Sequence, residues 1–126
     1  MGRRGYVQTR PPKYGTCITD WAQDSLYRYL TRKGLEVNSP DDFCNTEDAD
    51  HWEITIPERG VGRGKKRKYV YDYDKVLKVA ADLRKNPKAV KADGEGAYGD
   101  VAASLLEEGI EAARKYKLGT ITVDWW

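Results

Sequence analysis

From His51 to Tyr73 the chain reads HWEITIPERGVGRGKKRKYVYDY, and both ends of the stretch alternate. Trp52, Ile54 and Ile56 fall on one side of an extended chain, and His51, Glu53 and Thr55 fall on the other. That is the pattern of a strand with one buried face, and it ends at Pro57. Tyr69, Tyr71 and Tyr73 then share a side, opposite Lys68, Val70 and Asp72. Val70 has only charged neighbours on its side, so the tyrosine side is expected to pack on the core with its hydroxyls at the rim. The two strands predict a hairpin. Its loop, Glu58 to Lys66, is long and carries Gly60, Gly62 and Gly64 at alternate positions, a backbone free to adopt positive φ.

Outward from this stretch the period changes to that of helices. Ala22, Leu26, Tyr29 and Leu30 predict a helix over 19–33, capped by Thr19 or Asp20 and stopped at Gly34. Residues 35–37 suit a short strand, and 40–50 an acidic loop. Asp74 is placed to cap a helix over 75–86 that Asn86-Pro87 ends. Val101, Leu105, Leu106, Ile110, Ala113 and Tyr116 hold the helical period over 99–117. Residues 120–126, TITVDWW, alternate again and predict a last strand. Residues 1–15 are basic, carry Pro11-Pro12 and show no period, so they read as a flexible arm. The expected fold is α+β: one domain over 16–126, in the order α-β-β-α-α-β, with about three helices on a mainly antiparallel sheet made of the hairpin and the C-terminal strand.

Charge is segregated along the chain. Residues 35–58 hold eight acids and no Lys or Arg, whereas 59–91 hold twelve bases against three acids. A net charge of +2 hides this division, which points to charged partners or to internal pairing. Arg59, Arg63, Lys65, Lys66, Arg67 and Lys68 form a basic glycine-bearing run suited to backbone phosphates, with Arg3 and Arg4 of the arm as helpers. The acids Asp41, Asp42, Glu47 and Asp48, together with Trp126, are candidates for a partner or homo-oligomer surface. The acidic stretch is also placed to neutralise the basic loop.

Several chemistries are disfavoured. A phosphate loop needs glycine where Arg59 stands and Ser or Thr where Lys66 stands. His51 is the one histidine, and on the polar side of its strand it reads as exposed. With Cys44 and the acids it falls short of a metal-ligand spacing, so no metal and no cofactor are expected. Cys17 and Cys44 form no C-x-x-C and read as reduced thiols of a cytoplasmic protein, in the host cytoplasm for a viral one. No stretch is long and apolar enough to span a membrane. The expectation is a non-catalytic binding protein that contacts nucleic-acid phosphates with low sequence specificity. The alternative is a small inhibitor or adaptor of viral or mobile-element type, which blocks a charged protein partner.

Overall fold

The computed structural model describes residues 3–10, 13–40, 45–92 and 96–126. Its strands are β1 (Arg4–Arg10), β2 (Lys13–Thr19), β3 (Glu36–Asn38), β4 (His51–Thr55), β5 (Glu58–Val61), β6 (Lys68–Tyr71) and β7 (Thr120–Trp125). Among the described residues its α-helices are α1 (Gln23–Arg32), α2 (Tyr73–Lys85) and α3 (Gly99–Tyr116). The fold is α+β, with an antiparallel five-stranded sheet in the order β2-β1-β7-β4-β3 and a separate two-stranded ribbon of β5 and β6. None of the described helices is long and apolar enough to cross a membrane.

The last strand lies in the middle of the sheet. Its alternation, TITVDW, buries Ile121, Val123 and Trp125 and leaves Thr120, Thr122 and Asp124 on the opposite side. Val123 stands level with Val7 of β1 and Trp52 of β4, so three strands present one apolar row. Helix α3 lies across β1, β2 and β7 on that side, and α2 packs on α3 rather than on the sheet. Two-sided contact explains why α3 buries small residues around its girth, among them Ala102, Ala103, Ala112 and Ala113. Helix α1 covers the other half of the sheet, with Leu26, Tyr29 and Leu30 in the core and Tyr27 against the Trp52 ring. Local signals set the helix ends: Thr19 accepts from Trp21 N–H, and Asp72 from Lys75 N–H, at the starts of their helical segments.

Three expectations change here. The N-terminal arm is instead a strand pair, since β1 takes an inner position between β2 and β7. Val7 and Ile18 are its buried apolar side chains, enough to seat a strand pair beneath α3 but too few to give a sequence period. The predicted hairpin also re-pairs. Strand β4 is occupied on both edges by β7 and β3, so β6 folds back on the glycine-bearing stretch, which becomes β5. The element order therefore gains β1 and β2 ahead of α1, β3 before β4 and β5 before β6. Pro11 and Pro12 lie outside the described residues.

Two close approaches fix the layers. A Cβ on Gly5 would stand 2.5 Å from the Trp125 ring, and one on Gly109 of α3 would stand 2.5 Å from Ile121 Cγ2. Alanine for glycine inside an exposed helix gains about 1 kcal/mol. At Gly109 the sign reverses, because the added methyl pushes α3 off the central strand. Gly109→Ala is expected to lose about 1–3 kcal/mol in urea denaturation, the usual penalty of overpacking; a gain would mean that α3 does not rest on Ile121.

Candidate nucleic-acid interface

Strands β5 and β6 pair Glu58 with Tyr71, Arg59 with Val70, Gly60 with Tyr69 and Val61 with Lys68. Every residue of both strands is exposed. At the tip, Gly62 and Gly64 take φ of 90° and 56°, values costly for any side chain. A short 3₁₀ turn, Gly64–Lys66, closes the ribbon through Lys66 N–H to Arg63 O and Arg67 N–H to Gly64 O. The ribbon joins the body at its foot, where Asp72 N–H donates to Pro57 O at 2.6 Å and the Tyr71 hydroxyl sits against Gly119. The next residue enters α2, so the ribbon is held between the end of β4 and a helix start.

This geometry corrects the tyrosine assignment. Tyr69 is 66% exposed and Tyr71 is also exposed; of the three, only Tyr73 packs against the core. The reason is the re-pairing: β6 never joins the sheet that the helices cover, so its aromatic side has no layer to bury against. The rings are held by cations and by one another. Arg67 lies over Tyr69 at 5.6 Å and across Gly60, Tyr71 meets Tyr73 at 6.1 Å, and Arg114 lies over Tyr73 at 5.2 Å. Glu58, Tyr69, Val70, Tyr71, Tyr73 and Lys117 line a shallow groove of about 430 Å³ at the foot. A smaller groove of about 190 Å³ on the far side of Tyr71 and Tyr73 is lined by Arg59, Asp72, Asp74 and Arg114.

The described acids do not claim the ribbon. Among the described residues no carboxylate lies within ion-pair distance of Arg59, Arg63, Lys65, Lys66, Arg67 or Lys68. Asp50 pairs with Arg3, Glu53 faces His51, Asp82 faces Lys33, and Asp74 faces Arg114. Asp41, Asp42 and Cys44 lie outside the described residues. Glu47 and Asp48 belong to a 3₁₀ turn, Thr46–Asp48, that packs beside α1.

Arg3 and Arg4 do not join the basic run. Thr55 and Thr120 pair at the ribbon end of the sheet, while Arg4 is hydrogen-bonded to Trp126 at the other. The length of β7, about 17 Å, separates them. Arg3 acts as a clasp there: it bonds Asp50, approaches Asp20 at 3.7 Å and donates to Gln23 Oε1 at 3.0 Å. Gln23 is the polar side chain buried beneath it, and its own amide donates to Ala49 O at 2.8 Å. Trp126 belongs to this end too, 58% exposed, tilted against Tyr6 at 5.0 Å and edge to face with Tyr14 at 4.8 Å.

His51 is half-buried rather than freely exposed. On the side of the sheet away from the helices its Nδ1 meets Asp124 Oδ1 at 2.5 Å, and Tyr14 donates its hydroxyl to Asp124 Oδ2 at 2.9 Å. The Glu53 carboxylate lies 3.6 Å from Nε2. No group of three or more potential metal ligands converges among the described residues. The polar sides of strands 51–57 and 120–126 were visible in the alternation, but nothing in the sequence says that His51 and Asp124 are neighbours across a strand pair. The bond to Asp124, then partial burial and the Asp124 charge, hold the Tyr14 hydroxyl proton above its ordinary pKa of 10.0.

Two outcomes test these assignments. Arg3→Ala strips a partner from the buried Gln23 carbonyl and is expected to cost about 1–3 kcal/mol in denaturant unfolding; an unchanged midpoint would remove its clasp role. Tyr14 binds its proton more tightly folded than unfolded. Its contribution is therefore full below pH 10 and fades as pH rises through the higher folded value. The stability gap between the native protein and Tyr14→Phe, read by urea titration, should be level to about pH 9 and shrink above about pH 10; a gap that stays level would refute the bond. No protein-family model, curated protein or solved structure matches the chain.

Proposed function

We propose that this protein binds nucleic acid through the β5–β6 ribbon, contacting backbone phosphates with low sequence specificity and performing no chemistry on them. The observation that carries the reading is the state of the cations. Arg59, Arg63, Lys65, Lys66, Arg67 and Lys68 project on an exposed ribbon without a carboxylate partner among the described residues, whereas Arg3, Arg28, Lys33, Arg84 and Arg114 each face one. A polyanion gains most from cations that are not already neutralised, since each phosphate contact releases condensed counterions. Glycines at the tip let the backbone approach a sugar-phosphate chain closely. Exposed Tyr69 and Tyr71 add π-faces beside the charge, and bases stack on such faces whatever their sequence.

The test is a salt titration. Replacing Lys65, Lys66 and Arg67 by alanine removes three contacts, so the slope of log Kobs against log salt should become shallower by about two units. Arg4→Ala, at the other end of the sheet, should leave the slope unchanged. Equal affinity and slope for the triple variant and the native protein would refute the reading.

A further inference from the structure

We infer that the groove at the foot of the ribbon receives an unpaired base of a single strand, and that Glu58 selects bases bearing an exocyclic amino group. The inference rests on the nucleic-acid reading above and deepens it. Alternation along β6 puts Arg67, Tyr69 and Tyr71 on one side, and the strand register sets Gly60 opposite Tyr69 and Glu58 opposite Tyr71. Gly60 has no side chain, and the Arg67 guanidinium lies across it and over the Tyr69 ring, which leaves the Tyr71 side of Tyr69 facing the groove. Two residues of an extended strand span about 6.8 Å, twice the 3.4 Å step between successive bases. Tyr71 is braced by Tyr73, while Tyr69 touches no other ring among the described residues. A ring inserted beside Tyr69 therefore meets one cation-backed tyrosine and one ring-backed tyrosine.

A duplex hides its base faces, so a tyrosine-walled groove is useful only to bases that are already unpaired. Glu58 narrows the choice. It is the one acid from 58 to 71, it lines the groove, and its carboxylate makes no hydrogen bond or ion pair among the described residues. On a phosphate-binding ribbon a free carboxylate repels the ligand unless it meets a donor. An ionised carboxylate only accepts. Cytosine N4 and adenine N6 offer amino donors, whereas thymine and uracil place a carbonyl oxygen at that position, and it repels a carboxylate reaching for the N3–H beside it. Lys117, which also lines the groove, supplies a cation for the neighbouring phosphate.

The experiment compares end-labelled oligo-dC, oligo-dT and a mixed-sequence duplex of equal length by fluorescence anisotropy, with oligo-rC and oligo-rU alongside to distinguish RNA from DNA. Single strands should bind more tightly than the duplex, and C-strands more tightly than T- or U-strands. Tyr69→Ala should weaken single-strand binding roughly 5- to 150-fold, the range that one stacked base confers, and leave duplex binding unchanged. Glu58→Gln should remove the preference of C over T. Both side chains are exposed, so the variants fold, and circular dichroism checks this. Duplex binding equal to or tighter than single-strand binding, or a C-over-T ratio untouched in Glu58→Gln, overturns the inference while the salt slope of the Lys65/Lys66/Arg67 variant still upholds the ribbon. Absence of binding to every strand overturns both.

Discussion

The structure depends on β7 being seated between two hairpins that share no edge without it. On one side stands β1 with β2, on the other β4 with β3, and α3 crosses three of these strands above the joint. Ile121, Val123 and Trp125 reach the core only in the observed register, since a slip of one residue would turn Thr122 and Asp124 inward. Gly5 and Gly109 are the spaces into which Trp125 and Ile121 fit. Because the pairings join distant parts of the chain, most of the entropy of closure must be overcome before the core can form. Pairings of such long range slow folding relative to a helical domain of similar length.

A sheet joined in this way has two distinct ends. Where β7 begins, the chain leaves β4 at Pro57 and enters the ribbon, and the cations gather there. Where β7 finishes, Arg3, Asp50 and Gln23 clasp the first strand to α1, and Trp126 packs against Tyr6 and Tyr14. The charge segregation seen along the sequence thus becomes segregation in space. The ion pairs among the described residues hold Arg3, Arg28, Lys33, His51, Arg84 and Arg114, none of them on the ribbon, and the ribbon keeps its charge.

Alternation made β4, β6 and β7 legible, and helical period made all three helices legible to within a few residues at each end. Partner choice was not legible. Nothing local distinguishes a β6 that pairs with β4 from one that pairs with β5; the decision is made by β7, nearly fifty residues further along, whose apolar row fits β4 better. The same displacement reversed the tyrosines, because three aromatics at strand spacing look alike whether or not a helix lies above them. Strands β1 and β2 escaped notice because Val7 and Ile18 are their buried apolar anchors, and Arg, Lys and Gly around them carry the marks of a tail. Of the candidate site, the six ribbon cations could be named from composition, while Glu58, Tyr69 and Lys117 needed the register and the end of α3 to be brought together.

The ribbon's isolation has an evolutionary consequence. No side chain of β5 or β6 is counted in the core, and the body holds the ribbon at its foot alone. Substitutions along it therefore change the exposed surface at almost no cost in folding free energy, whereas changes in β7 or α3 are filtered by packing. Selection can then revise the contact surface rapidly over an unchanging scaffold. Among descendants of this chain, divergence should concentrate in the fourteen residues from Glu58 to Tyr71, with the glycines of the turn persisting longest because their backbone angles admit few replacements.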